Sequence, residues 1–472
     1  MNVIHVSAEC YPVAKVGGLG DVVGSLPKYQ QQAGVSAKVV MPFYDNKFTA
    51  AHKFESVYES ELVLGKDTFS FRILKLKKNI LEIEVLFVDI PGLLFKDYVY
   101  SEDDTARFTA FQIAVMDWML TLKTKPSIIH CHDHHTGLIP FMAQECFKYQ
   151  ALNQIPVILT IHNAQYQGWF SHDKVHYLPA FDINHIGLLD WDGVINPLAA
   201  GIKCAWRVTT VSPSYMKELQ QVANGLESLL SHENQKCIGI LNGIDAEVWN
   251  PETDEFIAKN YSTKNIQTGK TANKKWLCKE FGFSASKPLF AFIGRLVYEK
   301  GADLLPEVLD KVLSEKKCSV LILGSGNPEV EKDLKNLQKK HIGVYNTFIG
   351  YDEKLSHLIY AGADFLLMPS RVEPCGLNQL YSLRYGTIPL VRSIGGLKDT
   401  VMDVEDGGFG FSHQESSAED ILQTLNRAIA FYKDQPAFKK TRKHIMGIDH
   451  SWNVSAQKYI DLYNSIKPAK NE

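Results

Sequence analysis

Apolar residues along this chain fall into short continuous runs separated by amphipathic stretches. In the first half the runs are NVIHVS (2–7), AKVVM (37–41), SIIHCH (127–132), PVILTIH (156–162), RVTTVS (207–212) and IGIL (238–241). The second half offers PLFAFIG (288–294), SVLILG (319–324), TFIG (347–350), ADFLLMP (363–369) and TIPLV (387–391). Uninterrupted Val/Ile/Leu runs of this length predict strands covered on both faces, as in a parallel sheet. Stretches 303–315, 328–340, 352–361 and 376–385 lie between them and read as helices. The alternation predicts α/β architecture with two Rossmann-like, doubly wound domains.

The polar stretch 243–275 carries turn residues and no long periodic run, so it is the predicted seam, with the boundary near Ile244–Asn250. This gives an N-terminal domain of residues 1–246, a C-terminal domain of 247–452 and a terminal helix over 453–472. That helix gathers Trp452, Ala456, Tyr459, Ile460 and Tyr463 on one face, which is expected to return to the first domain. Two such domains would face a cleft, a preferred place for ligands.

Composition narrows the function classes. The 472 residues carry a formal net charge of −3, which gives no electrostatic footprint for nucleic acid. None of the eight cysteines forms a C-x-x-C pair, so neither a zinc ribbon nor a redox dithiol is suggested. The N-terminus lacks a basic segment followed by an apolar one, and no window holds 18 consecutive apolar residues. The expectation is a cytoplasmic protein with no membrane span.

Candidate chemistry sits just after the predicted strands, where open parallel sheets gather ligands. Lys15-Val16-Gly17-Gly18-Leu19-Gly20-Asp21 follows the first strand and precedes a run with Val22, Val23 and Leu26 on one helical face. Bare glycines at a helix start can cradle phosphate with backbone N–H groups; equally, a tight turn can need glycine for chain geometry alone. His132-Asp133 and His162-Asn163 follow two more strands of the first half. In the second half the same positions hold Arg295 and Lys300, Glu373-Pro374-Cys375-Gly376, and Gly395-Gly396. Arg295 and Lys300 suit phosphate binding, or a surface ion pair such as Lys300 with Glu299. Glu373 could accept sugar hydroxyls, or cap the helix that follows. The histidine cluster 130–135 does not fit H-x-H-x-D-H, and no metal is expected.

The motifs KVGGLGDV (15–22), HCHDHHTG (130–137), TIHNAQYQG (160–168), TVSPSY (210–215), GILNGID (239–245), FIGRLVYEKGADL (292–304), IGYDEKLSH (349–357) and PSRVEPCGLNQLYSLRYGTIPLVRSIGGLKDTV (369–401) run in order across nearly the whole chain. In this the chain resembles bacterial glycogen synthases and starch synthases, the retaining glycosyltransferases of family five. The resemblance implies a GT-B fold and transfer of glucose from a nucleotide sugar, ADP-glucose in the leading reading, to the non-reducing 4-hydroxyl of an α-1,4-glucan primer. It implies that Lys15, Gly17 and Gly18 approach the pyrophosphate and that Asp21, Asp133 and His162 line the reaction centre. Arg295 and Lys300 would stabilise the departing diphosphate without a metal or other cofactor. Glu373, Cys375 and Gly376 would hold the donor glucose, Gly395 and Gly396 would offer amides to the nucleotide sugar, and Tyr351 would stack on the nucleobase.

Four positions mark this chain within the resemblance. His134 stands where the family usually has Trp, Ile394 where it has Thr, and Glu299 where Gln is common. Tyr381 occupies the place of a second acid in many other GT-B enzymes, as in the glycogen synthase branch. The alternatives are UDP-glucose as donor, a small acceptor, an epimerase, or a catalytically silent glucan-binding protein. The sequence leaves the oligomeric state open.

Overall fold

A computed structural model describes residues 1–466; the last six residues of the predicted terminal helix segment, 467–472, lie outside the described residues. The chain divides into one unit of Met1–Asn242 together with the segment from Trp452, and a second unit of Gly243–Ser451.

The first unit contains β1 (Asn2–Val6), β2 (Ser36–Pro42), β3 (Phe54–Leu64), β4 (Asp67–Leu76), β5 (Glu84–Asp89), β6 (Ile128–His132) and β7 (Val157–Ile161). A small hairpin, β8 (Asp190–Trp191) and β9 (Val194–Ile195), is followed by β10 (Arg207–Thr210) and β11 (Cys237–Gly239). Nine of these form one sheet in the order β11-β10-β7-β6-β1-β2-β5-β4-β3. Pairing is parallel except for β3 with β4 and β4 with β5. This antiparallel edge was not anticipated from the apolar runs, because β3 is exposed along most of its length and reads as polar. The helix Thr105–Thr121 was also missed: it is apolar on nearly every face and buried, so it lacks an amphipathic period.

The second unit holds β12 (Leu289–Ile293), β13 (Ser319–Gly324), β14 (Tyr345–Ile349), β15 (Phe365–Met368), β16 (Ile388–Arg392) and β17 (Phe411–His413). They form an all-parallel sheet, β14-β13-β12-β15-β16-β17. Successive side chains of β12 and β13 enter opposite cores: Phe290, Phe292, Val320 and Ile322 on one side, Leu289, Ala291, Leu321 and Leu323 on the other. Burial on both faces is why these strands read as continuous apolar runs. The predicted seam is not wholly irregular, since the helix Ile266–Phe281 begins inside it.

Each unit has the α/β design that the sequence predicts for a domain, and the terminal helix Trp452–Ser465 returns to the first unit. Trp452, Ala456, Tyr459, Ile460 and Tyr463 pack with Val3, Val22, Leu26 and Tyr29. Burying side chains of this size contributes about 1.5–3 kcal/mol each. The helix Gly18–Gln32 supplies much of the opposing face and carries Pro27 inside it. Proline there cannot donate to the carbonyl of Val23. The thiol of Cys10 donates to that oxygen instead, at 3.7 Å. All eight cysteines are free thiols, seven of them buried. No helix among the described residues is long and apolar enough to cross a membrane.

Candidate active site

In the first sheet the chain order reverses beside β1, which lies between β2 and β6, so the loops after β1 and β6 leave a topological switch point. The loop after β1 carries the glycines. Gly17 has φ −139° and ψ −164°, extended backbone open to any residue, and Gly18 begins the helix without a positive φ. A Cβ at either position would meet nothing within 4 Å. Chain geometry therefore does not demand glycine at 17 or 18, and the turn-geometry reading fails for both.

The amides, however, are only partly available. Val16 and Gly17 both donate to Oε2 of the buried Glu9, at 2.6 and 3.0 Å, so the loop already holds a carboxylate of its own. Lys15 Nζ lies 2.7 Å from Asp21 Oδ1, with the lysine exposed and the aspartate half-buried. Burial raises the Asp21 carboxyl, and Lys15 opposes that rise. Glu9 escaped the sequence reading although it stands only three residues beyond the end of β1.

Asp133 follows β6 with φ 57° and ψ −176°, a conformation that L-residues seldom adopt and that costs about 1–3 kcal/mol. Its Oδ1 accepts the amides of His162 at 2.7 Å and Asn163 at 3.5 Å, which ties the loops after β6 and β7 together. Burial pushes its carboxyl up to about 7 against those two amides. His162 is 8% exposed, and burial takes its imidazole down to about 3. The ring of His134 fits against Gly168, where a Cβ would come within 2.4 Å. Gly168 also has φ +68°, so this glycine is required by the histidine beside it.

His5, His130 and His132 come together with one ring nitrogen of each within 4.8 Å of the others. Each ring nitrogen of the three has a protein partner, however. An ion here would have to displace those hydrogen bonds.

The second sheet reverses at β12, which lies between β13 and β15. Arg295 and Lys300 follow β12, and Glu373 follows β15. Lys300 does not pair with Glu299. Its Nζ donates to both carboxylate oxygens of Glu373, at 2.7 and 2.6 Å, while Ser370 Oγ donates to Oε2 at 2.9 Å. Glu373 is only 7% exposed. It does not cap the helix Asn378–Arg384, whose N-cap is Leu377 without a side-chain bond. Arg295 is exposed. Arg371, which sequence reasoning passed over, braces the same loops by pairing with Asp303 at 2.5 and 2.9 Å.

The remaining glycines have internal reasons. A Cβ on Gly395 would lie 2.0 Å from the carbonyl oxygen of Glu373, and one on Gly396 2.1 Å from that of Cys375. Gly376 has φ +73° and abuts Gln379. These three shape the Glu373–Gly376 loop and bind it to the helix Gly395–Thr400, with the buried Cys375 between them. Ile394 is the N-cap of that helix and makes no side-chain bond, so the hydroxyl usual at this position is absent. Tyr381 stacks on Trp249 at 3.9 Å, and Trp249 stacks on His357 at 4.0 Å. Tyr351 stands after β14, two strands from β12, and is 83% exposed.

Comparisons with known proteins identify the family of the chain. The starch synthase catalytic domain family matches residues 2–232, and the glycosyl transferases group 1 family matches residues 276–444. A glycogen synthase of Flavobacterium johnsoniae is 53% identical over 469 residues, covering 99% of each chain. One of Lacticaseibacillus casei is 39% identical, again across 99% of each. The solved catalytic domain of starch synthase IV from Arabidopsis thaliana, bound to ADP and acarbose, superposes with TM-score 0.88 at 32% identity, covering 98% of this chain and 99% of that one. Sucrose-phosphate synthase from Thermosynechococcus elongatus, at 15% identity and TM-score 0.63, shares the fold.

Proposed function

The chain belongs to the glycogen synthase and starch synthase family of GT-B glycosyltransferases, and on that premise we propose that it moves glucose from ADP-glucose to the non-reducing 4-hydroxyl of an α-1,4-glucan, with retention of configuration. It is a glycosyltransferase that synthesises glucan, so its substrates are a nucleotide sugar and a glucan. The ADP bound to the Arabidopsis relative supports adenine as the donor base here.

The observation that carries the reading is the Lys300–Glu373 pair at the switch point of the second sheet. Lys300 and Ser370 fix both oxygens of Glu373, so the carboxylate is placed to accept hydroxyls of the donor glucose. The amino group of Lys300, with the exposed Arg295, would meet the diphosphate as it departs. In such a transfer positive charge builds at the anomeric carbon and negative charge on the leaving phosphate. Cations fixed in advance beside that phosphate lower the barrier directly. The departing phosphate itself would accept the proton of the attacking hydroxyl on the same face, so no protein nucleophile is assigned. No metal is given a step, because the diphosphate charge falls to cations of the chain.

In the first unit, Gly17 and Gly18 with Lys15 would approach the pyrophosphate, where open space lies over both Cα atoms. Asp21, Asp133 and His162 would line the reaction centre, with Asp133 holding the His162 amide in place. Cys375, Gly376, Gly395 and Gly396 form the loop that would carry the sugar, and Tyr351 would cover the base. A cytoplasmic setting fits the free thiols.

The test is incorporation of labelled glucose into glycogen from ADP-glucose and UDP-glucose in parallel, each with and without primer. Primer-dependent transfer from ADP-glucose is expected. Preference for UDP-glucose would change the donor, and absence of glucan product from both would overturn the reading.

A further inference from the structure

One line of buried side chains in the first unit runs unbroken from His162 to the terminal helix. His162 Nε2 meets His132 Nδ1 at 3.0 Å, and His132 Nε2 meets His5 Nδ1 at 3.0 Å. His5 Nε2 meets Gln30 Oε1 at 2.8 Å, and Gln30 Nε2 donates to the Tyr463 hydroxyl at 3.0 Å. Beyond Tyr463, the line continues to His130 Nδ1 at 2.7 Å, then from His130 Nε2 to Thr160 at 2.6 Å. His5, Gln30, His130, His132 and Tyr463 are fully buried; only His162 reaches the surface, at 8% exposure.

A neutral imidazole has one donor nitrogen and one acceptor nitrogen, so each ring in such a line transmits a direction. Burial lowers the pKa of all four histidines, which keeps them neutral. With the Gln30 oxygen toward His5, His5 must carry its proton on Nε2. Its Nδ1 then accepts, so His132 donates from Nε2, and His162 in turn donates from Nε2. Turning the Gln30 amide over would reverse every ring. A mixed order would set two donors or two lone pairs face to face, at about 1–3 kcal/mol for each buried fault. The three clustered histidines are thus fully occupied by this line.

We infer that Gln30 and Tyr463 are positioning residues for His162, holding it through His5 and His132 as the Nε2–H tautomer with Nδ1 kept as a hydrogen-bond acceptor. The Gln30 amide donates to the hydroxyl of Tyr463, and so a residue of the terminal helix helps to hold the amide that places the protons along the line. The catalytic consequence rests on the reading that His162 lines that centre; the tautomer itself does not.

The experiment is nitrogen-15 NMR of the histidine rings in the full-length protein, with His162 assigned by the signals that vanish in His162→Asn. Wild type is expected to show His162 protonated on Nε2. Tyr463→Phe removes the anchor and is expected to give a mixture of tautomers, with kcat about tenfold lower and KM for donor and glucan within about twofold. Thermal melting confirms that each variant is folded, and Gln30→Met, which breaks the line with similar volume, replaces Tyr463→Phe if that variant does not fold. A wild-type His162 protonated on Nδ1, or a tautomer unmoved when the line is broken, would overturn the proposal. So would an altered tautomer with unchanged kcat, or one equivalent of tightly bound metal in the purified protein by elemental analysis. If wild type transfers no glucose to glucan, the functional reading fails while the tautomer measurement still decides this one.

Discussion

Alanine at Gly18 and alanine at Gly396 add the same methyl group to two unlike surroundings. At Gly18 the new Cβ meets nothing within 4 Å, and the residue opens a helix. Less freedom in the unfolded chain would then stabilise the fold by about 0.4–1 kcal/mol. At Gly396 the Cβ lies 2.1 Å from the Cys375 carbonyl oxygen and 2.5 Å from its Cα, so backbone must move. Overpacking of that kind costs about 1–3 kcal/mol or more. Activity should separate from stability in the first case. If a phosphate approaches the bare Cα of Gly18, the methyl group displaces it and weakens a hydrogen bond to a charged group, at about 1.5–3 kcal/mol. That corresponds to a fall in kcat/KM of about 10- to 150-fold. The assay is thermal melting beside initial rates of glucose transfer over a range of donor concentrations. Gly18→Ala is expected to melt at or above wild type and transfer poorly, whereas Gly396→Ala melts lower. Full activity in a well-folded Gly18→Ala would refute the claim that the loop is bare in order to admit a ligand.

Three further outcomes follow from the same geometry. Glu373→Ala should abolish transfer and also cost about 1–3 kcal/mol of stability by denaturation, because it leaves Lys300 and Ser370 without their acceptor. Lys300→Ala should lower kcat more than it raises donor KM in steady-state kinetics, since the charge it meets is greatest in the transition state. Acid should destabilise the protein: His5, His130, His132 and His162 have folded pKa values below their unfolded value, His5 at about 4 and His162 at about 3. Their contribution is whole above pH about 6.5 and is lost as pH falls below it, at about 1.4 kcal/mol per pH unit each. Asp133, raised to about 7, has the opposite sign and offsets one of them between its two pKa values. The histidines outnumber the carboxyl, so stability should fall with acidification, measurable by urea unfolding at pH 7, 6 and 5; stability unchanged from pH 6 to 5 would contradict it.

The parallel strands were legible because burial on both faces leaves unbroken apolar runs, and the returning helix because its buried face repeats with helical period. The antiparallel strand β3 was not, since its residues alternate into solvent, and neither was the all-apolar helix Thr105–Thr121. For the candidate site, position after a strand pointed to Asp133, Lys300 and Glu373 but said nothing of partners. The pairing of Lys300 with Glu373, 73 residues away, depends on β12 and β15 being neighbours, which only the sheet order reveals. Glycine carries one letter for two causes: open space at 17 and 18, close backbone at 395 and 396.

The return of Trp452–Ser465 to the first unit sets a timetable for synthesis on the ribosome. Val3, Val22, Leu26 and Tyr29 are translated early, yet the residues that cover them come more than 400 positions later. At about 5–20 residues per second, the interval between Asn242 and Tyr463 takes roughly 11–44 seconds. During that time the nascent first unit carries an uncovered apolar seam, while the whole of the second unit is being made. The unit that starts first thus finishes last, and its apolar seam closes only when the terminal helix has been made.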